Sequence, residues 1–382
     1  MTNKQKKHLL RGTLMAALTM VCAMVLTSCS SDDNNPATAS IEYGQVFSYT
    51  YEGQTLYYIV NEKGEAAVVP PLHPNIDTVH DEMWTGYDKP VGPVVIPDYV
   101  PFNGIKCPVT TVEYCAFFRC YAITSVTLPS TLRTIQKHGF LYCSSLASVT
   151  VPEGVTAIGY GAFDKCVSMK SAKLPETLKS LGDYAFAYCN NLSEIYLPES
   201  LESIGACAFY ECYNLESITL PSTLQSIGEF ALSSCHKLNN VEFPDQLTQL
   251  NNYVLTDCQA LTNCHLPAQL KTIDKAFFYS TAISNIEIPE HVTSIDTWAF
   301  GRCLSLKELT FPASVTELSD SVFCDGTKLD KLTLECSVPP TVTEETFDED
   351  DYATTIIVPK GAGEAYRKHE FWGRFTTVTE KE

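Results

Sequence analysis

The chain has 382 residues, a formal net charge of −19 at pH 7 and 16 cysteines. So acidic a surface argues against binding to nucleic acid and against peripheral docking on anionic lipid, and it favours solubility and repulsion between copies. The cysteine content would suggest disulfides in an exported protein, but the spacing of the cysteines indicates another role.

The first 28 residues have the pattern of an export signal. Basic residues up to Arg11 precede an apolar run from Leu14 to Leu26, which is too short and too weakly flanked for a comfortable membrane span. The sequence Leu26-Thr27-Ser28-Cys29 resembles the end of a bacterial lipoprotein signal, and the resemblance implies cleavage before Cys29 and acylation of this residue. The alternative is an ordinary signal peptide or a membrane anchor in which the cysteine occurs by chance.

Residues 29–40 have almost no apolar side chains, and we predict that they form a flexible tether. Asp32 and Asp33 resemble the acidic export signal of Bacteroidetes surface lipoproteins. The resemblance implies a protein of the outer membrane that is held by its lipid anchor alone and faces the cell exterior.

A repeat of 23 residues dominates the rest of the chain. Prolines recur at this interval from Pro129 to Pro312, with one step of 22 residues between Pro267 and Pro289. A fixed period of this length indicates a solenoid of stacked units, each too small to be stable alone.

Each repeat contains two predicted extended pieces and a turn. The stretch Ile218-Thr219-Leu220 alternates apolar and polar residues, as a strand with one buried face does. Leu224 and Ile227 predict a second short extended piece, and Ala-Phe-x-x-Cys predicts one helical or 3₁₀ turn with its Phe inside. In the shortened repeat, we place the missing residue between Ile273 and Ala276, which puts Ser280 in the cysteine position.

The consensus IPxxVxxIGxxAFxxCxxLxxV resembles the BspA-like, or treponemal-type, leucine-rich repeat of bacterial surface proteins. About ten units in residues 107–334 carry it. The resemblance implies a right-handed leucine-rich-repeat solenoid with short parallel strands, and a role in adhesion and protein–protein contact. Residues 41–106 resemble the family's β-rich N-terminal cap, and residues 335–382 its small α/β C-terminal cap. The pattern fades towards that end, where Gly326 replaces the cysteine.

Most of the cysteines occupy one position of the repeat and predict a structural ladder of small buried thiols. The ladder comprises Cys120, Cys143, Cys166, Cys189, Cys212, Cys235, Cys258 and Cys303. Side chains that point the same way from parallel strands reach disulfide geometry with difficulty. Five other cysteines lie off the ladder, and one pair among them could be bonded: Cys107, Cys115, Cys207, Cys324 and Cys336.

The sequence has no constellation that predicts catalysis, a metal or a cofactor. It has no CxxC pair, HExxH, GxSxG or glycine-rich phosphate loop. The histidines at 138, 236, 265 and 291 occupy variable polar positions and are expected on the surface. The acidic run from Glu344 to Asp351 could hold calcium, but a solvated loop is the simpler interpretation.

Two surfaces are candidates for partner binding. The first consists of the outward residues of the strand that precedes each proline, a polar and varied series that includes His265 and in which Tyr196 breaks the trend of small residues. The second is a row of aromatic residues that follows Ala-Phe: Phe118, Tyr142, Tyr188, Tyr210, Phe278 and Tyr279. Tyrosine is favoured at interfaces. We therefore select the tyrosines of these two surfaces, together with the strand-face histidine, as candidate residues for partner binding: Tyr142, Tyr188, Tyr196, Tyr210, His265 and Tyr279.

The sequence thus predicts a surface lipoprotein whose solenoid binds a protein on a host, a neighbouring cell or the matrix. A glycan-binding accessory lipoprotein in nutrient capture, with the tyrosine row as a stacking platform, is an alternative. A structural spacer without a dedicated partner is another.

Overall fold

A computed structural model of the protein describes residues 41–72 and 82–382. The predicted signal peptide and tether, with Cys29, lie outside the described residues. Within these two ranges, no helix has both the length and the apolar character needed to cross a membrane.

The described chain winds into a solenoid of about 12 turns with parallel strands and little helix, which confirms the predicted fold. Here each turn is called a coil. In most coils two short strands pair with the equivalent strands of neighbouring coils and so form two ladders, each interrupted where a coil lacks the strand. Both extended pieces predicted in each repeat are therefore found on separate faces.

The first ladder begins with an antiparallel meander and continues with parallel two-residue strands. The Cα partners are equivalent residues, such as Ala157 with Ser180 and Ile158 with Leu181. Its strands are β1 (Phe47–Tyr51), β2 (Gln54–Val60), β3 (Ala66–Val69), β5 (Tyr99–Phe102), β6 (Ile105–Val112), β8 (Thr134–Ile135), β10 (Ala157–Ile158), β12 (Ser180–Leu181), β14 (Ser203–Ile204), β15 (Ser226–Ile227), β18 (Thr272–Ile273), β19 (Ser294–Ile295) and β21 (Glu317–Leu318).

The second ladder, called the strand face below, contains the strands that precede the prolines. They are β4 (Gly92–Val95), β7 (Ile123–Thr127), β9 (Ser148–Thr150), β11 (Ser171–Lys173), β13 (Glu194–Tyr196), β16 (Asn240–Glu242), β17 (Asn263–His265), β20 (Glu308–Phe311), β22 (Lys331–Leu334), β23 (Thr355–Val358) and β24 (Thr377–Glu380). The central residue of each three-residue strand points inward, and its neighbours face outward. This second ladder is not continuous: Tyr196 forms one isolated bridge to Thr219, and the segment between β17 and β20 contributes no strand to this ladder.

The Ala-Phe-x-x-Cys segments form a third side, called the turn ridge below. They are not helical turns as predicted, because two residues of each turn have positive φ, for example Gly161 (55°) and Lys165 (59°). This left-handed conformation lets alternate amides point at the next coil. Phe163 and Lys165 donate in this way to the carbonyls of Ala185 and Ala187, at 2.9 and 2.8 Å.

The interior contains a file of parallel phenylalanine rings, one from each coil. Consecutive centroids from Phe117 to Phe209 lie 4.9, 5.2, 5.2 and 5.9 Å apart, with interplanar angles of 11° or less. All these rings are fully buried. Leu232 and Leu255 fill the same place in two later coils, where the file is interrupted.

The shortened repeat loses its residue at a different place from the one predicted. Thr281, not Ser280, takes the cysteine position, because its amide and its hydroxyl both donate to the carbonyl of Phe278. Ser280 is the left-handed residue before it (φ 61°). The next core residue, Ile283, follows two positions later instead of three, so the deletion lies between Thr281 and Ile283.

Near the C-terminus, Thr327 takes the cysteine position in place of the predicted Gly326. Its hydroxyl donates to the carbonyl of Phe300 at 2.7 Å. The chain ends with helix α1 (Gly363–Lys368), two 3₁₀ helices (Glu349–Ala353 and Trp372–Arg374) and β23 and β24. The buried ring of Trp372 lies 5.0 Å from that of Phe347. The assignment of both end segments as caps stays a prediction.

Candidate functional site

The cysteine ladder is buried, and its described thiols are free. The Cys189 thiol lies 3.3 Å from the carbonyl oxygen of Phe163 in the preceding coil, and the same contact recurs from Cys143 to Cys258. Burial raises the pKa of each of these thiols, to about 12 for Cys258. Neutral thiols with a carbonyl partner are packing groups, not nucleophiles or metal ligands.

The five off-ladder cysteines are also free. In the part of the chain that the structure describes, no group of three or more His, Cys, Asp or Glu side chains could hold a metal ion. The acidic run near the C-terminus is an exposed, non-regular segment over most of its length, as predicted, and only residues 349–351 belong to a 3₁₀ helix, where Asp350 pairs with Lys328 at 2.8 Å. The structure offers no built metal site in these residues.

Lysine covers the aromatic row where it passes Tyr142 and Tyr188 on the turn ridge. The Lys165 ammonium lies 4.7 Å from the centroid of the Tyr142 ring and 5.0 Å from that of Tyr188. It also donates a 2.9 Å hydrogen bond to the Tyr142 hydroxyl, which raises the pKa of Lys165. Both rings are half-buried, so the protein itself supplies their cation.

The other members of this row are also engaged within the protein. Tyr210 meets Tyr188 edge to face at 5.4 Å, and the Tyr279 hydroxyl donates to Asp325 at 2.6 Å. This hydrogen bond raises the pKa of Tyr279 to about 12. Phe118 and Phe278 are buried, 4% and 0% exposed, so the inclusion of these two in an exposed row was wrong. Phe278 belongs to the interior file.

A second aromatic file on the same ridge was missed from the sequence. It comprises Tyr114, His138, Tyr160, Tyr184, Phe230, Tyr253 and Trp298. Lys137 lies over the Tyr160 ring at 4.8 Å, and Lys275 over the Trp298 ring at 4.9 Å. His138, expected on the surface, is only 9% exposed within this file. An aromatic residue one or two positions before Ala-Phe was the signal available in the sequence.

The strand face is more open than the turn ridge. Tyr196 is 58% exposed, and its ring contacts no other aromatic ring and no cation among the described residues. The same column of outward residues continues through Thr219, Glu242, His265 and Glu287. A parallel column contains the asparagines at 240, 263 and 285.

A depression of about 350 Å³ lies on this face next to the shortened coil. It is lined by Asn240, Glu242, Thr262, Asn263, Cys264, His265, Ser284, Asn285, Ile286 and Glu287. The missing residue shifts the segment 284–288, which forms no strand. The backbone amides of Asn285 and Glu287 donate no backbone hydrogen bond to a described residue. The depression therefore lies next to the break in the repeat.

The candidate residue His265 lies in the depression, and Tyr196 lies on the same face three coils away. His265 is 3.3 Å from the carboxylate of Asp245. Glu242 and Glu287 flank it and form neither an ion pair nor a side-chain hydrogen bond within the described ranges. Of the six candidates, the structure thus places Tyr196 and His265 on one open surface and the other four on the covered turn ridge.

The comparisons agree with this architecture. The BspA type Leucine rich repeat region (6 copies) matches residues 110–228, 202–330 and 271–366, together more than half of the chain. No curated protein matches the chain. Three similar solved structures are a leucine-rich repeat protein from Bacteroides ovatus (24% identity, 86% of this chain and 98% of that chain, TM-score 0.40), a T. pallidum leucine-rich repeat protein (21%, 65% and 86%, 0.40) and the pneumococcal vaccine antigen PcpA (16%, 90% and 100%, 0.45).

Proposed function

Because the chain belongs to the BspA-type leucine-rich-repeat family, we propose that it is an adhesion or protein-binding protein whose strand face receives the partner. The observation that supports this proposal best is the contrast between the two surfaces. On the turn ridge, Lys165 covers the rings of Tyr142 and Tyr188, and the Tyr142 and Tyr279 hydroxyls are hydrogen-bonded within the protein, whereas Tyr196 has an exposed and uncovered ring. An exposed tyrosine on the same face as a polar depression is the kind of feature from which interfaces are built.

We propose further that the protein is a lipoprotein, anchored in the outer membrane through Cys29 and facing the cell exterior. The support is the amino-terminal sequence alone. Replacement of Cys29 by Ser is expected to abolish incorporation of radiolabelled palmitate. In intact cells, external protease is expected to digest the wild-type solenoid. Protection of the solenoid in intact cells and digestion after lysis would refute exposure on the exterior.

Adhesion of cells that produce the full chain tests the binding function. We expect these cells to adhere to epithelial cells or to immobilised matrix proteins better than cells without the chain. A variant with Tyr196→Ala and His265→Ala is expected to lose most of this gain. Tyr160→Ala is the matched control, because Tyr160 is 40% exposed but lies on the turn ridge. The amount of each variant on the cell surface is measured with an antibody against the solenoid, and cells with equal amounts are compared.

The outcomes separate the functional alternatives. If cells with and without the chain adhere equally, the spacer hypothesis replaces this proposal. If soluble oligosaccharides abolish adhesion and Tyr160→Ala is as damaging as the strand-face variant, the glycan-binding hypothesis replaces it. The glycan hypothesis needs free aromatic faces on the turn ridge, and lysines cover several of them.

A further inference from the structure

We propose that the strand face binds an extended, arginine-bearing segment of a protein partner, seated along the column from Tyr196 to Glu287. This inference rests on the proposed function and specifies the chemistry of the partner. Three features of the described residues carry it: the sign of the charge, an uncovered aromatic ring and an interrupted ladder.

The outward positions of the strand face are acidic over a long distance. Between Glu194 and Thr310 they include four glutamates and no lysine or arginine, and Lys173, opposite Tyr196 in the preceding coil, is the nearest cation of this face before that stretch. Glu308 pairs with Lys331, but Glu194, Glu242 and Glu287 have no ion-pair partner among the described residues. Elsewhere on the surface some carboxylates are paired with a lysine, as Glu202 is with Lys179 of the preceding coil at 2.8 Å. Unpaired carboxylates on one face attract a cationic partner and orient it.

The uncovered ring of Tyr196 favours the same ligand. On the turn ridge the protein places its own lysines over tyrosine rings, but the Tyr196 ring has no such cation. A guanidinium stacks on an aromatic face and also binds a carboxylate through two parallel hydrogen bonds. An ammonium offers only a compact point charge, so this combination of groups favours arginine over lysine.

The spacing of these groups suits an extended chain. Tyr196, Glu242 and Glu287 occupy the same column, and each is two coils from the next. Because adjacent strands lie about 4.8 Å apart, successive members of this set are separated by about 10 Å. Alternate side chains of an extended peptide point the same way at intervals of about 6.7 Å, and the long arginine side chain accommodates the difference. The amide groups of Asn240, Asn263 and Asn285 line the depression, where they can bond to the peptide backbone.

Fluorescence anisotropy with a labelled peptide tests the inference on the purified full chain. The probe is Ser-Arg-Ser-Arg-Ser-Arg-Ser, with two matched peptides in which lysine or glutamine replaces arginine. We expect saturable binding of the arginine peptide, binding of the lysine peptide about threefold weaker, and none of the glutamine peptide. Loss of two exposed charge pairs in the variant Glu242→Gln/Glu287→Gln is expected to weaken arginine-peptide binding about tenfold.

The control variant is Glu62→Gln/Glu344→Gln, which changes the net charge equally at two exposed carboxylates away from the strand face. It should bind the arginine peptide as the wild type does. Equal losses in the two variants, or no loss in Glu242→Gln/Glu287→Gln, would overturn the inference. If the Tyr196 and His265 variant loses adhesion but the arginine peptide does not bind, the proposed function stands and only the arginine partner fails. If instead adhesion is absent but the peptide binds as expected, the peptide site stands and the adhesive function fails.

Discussion

The interior phenylalanine file allows a quantitative test of how the coils support one another. Phe163 is fully buried and stacks on Phe140 and Phe186, with both centroid distances 5.2 Å. Truncation to alanine removes a buried ring and two stacked pairs. Large-to-small changes of this kind cost about 3–5 kcal/mol, and because both neighbours are held by their own coils, we expect Phe163→Ala at the upper end of this range.

Phe163→Leu is the matched control. Leu232 and Leu255 fill this position in later coils, so the solenoid accepts leucine here without a change of register. We expect Phe163→Leu to cost about 1–1.5 kcal/mol, mainly through imperfect packing. Urea unfolding of both variants is monitored by far-ultraviolet circular dichroism. The free energy of unfolding of each variant is then obtained with the same dependence of free energy on urea concentration.

The same experiment tests cooperativity along the solenoid. Trp84 lies before the predicted repeats, and Trp372 lies in the C-terminal segment. In proteins in which Trp84 or Trp372 is the only tryptophan, with Trp298 also replaced, fluorescence should report the same lowered midpoint for Phe163→Ala, because a coil has no stability without its neighbours. A lowered midpoint at Trp84 with an unchanged midpoint at Trp372 would refute this reasoning. A cost below about 1 kcal/mol for Phe163→Ala would refute the packing argument.

Three further predictions concern the thiols, a close backbone contact and pH. Ladder thiols such as Cys189 should resist alkylation at pH 8 in the native protein and react fully in denaturant, since burial raises their pKa and excludes the reagent; mass spectrometry of peptides counts the modified residues. Gly182→Ala should lower the free energy of unfolding by about 3 kcal/mol, because the added Cβ would lie 2.8 Å from backbone atoms of Gly159 and Tyr160. An unchanged midpoint of urea unfolding would contradict this close contact. Burial raises the pKa of Asp164 to about 6, so the folded protein keeps a proton that the unfolded chain releases, and stability should fall as pH rises from about 4 to 6. Asp164→Asn should reduce this decline and add about 1–2 kcal/mol at pH 7; an unaltered profile of unfolding free energy against pH would contradict it.

The repeat period predicted the solenoid, its two strand positions and its buried thiols, because each of these depends on contacts between equivalent residues. The period did not predict the backbone of the turn ridge. Positive φ at a non-glycine residue such as Lys165 is stabilised by hydrogen bonds to the next coil, which a single repeat does not reveal. The predicted position of the deletion was wrong for a related reason: Ser280 and Thr281 both carry a hydroxyl, and only their backbone hydrogen bonds distinguish them, since the Thr281 amide donates to Phe278 within its coil and the Ser280 amide donates to Gly301 in the next coil.

The candidate site was predicted in part. Tyr196 stood out because it breaks a trend of small residues, and both Tyr196 and His265 lie on the open strand face. The row of aromatics was harder to interpret, since adjacent positions of a tight turn point in different directions. Phe278 points into the core, whereas Tyr279 beside it is half-buried on the ridge. The lysines that cover the tyrosine rings come from neighbouring positions and coils, and no linear pattern identifies them.

A repeat protein has few places where specificity can reside, because stacking constrains most of its residues. Inward positions must match the coils above and below, and the turn ridge is fixed by hydrogen bonds and by its own cations. Only the outward strand positions are free to vary, and there a regular ladder presents a flat surface without a pocket. The one-residue deletion after Thr281 changes this locally, since the unpaired segment 284–288 creates a depression beside Glu242 and Glu287. A departure from the period thus produces both the concave shape and the free polar groups that a flat ladder lacks, and a partner should therefore be sought at this break.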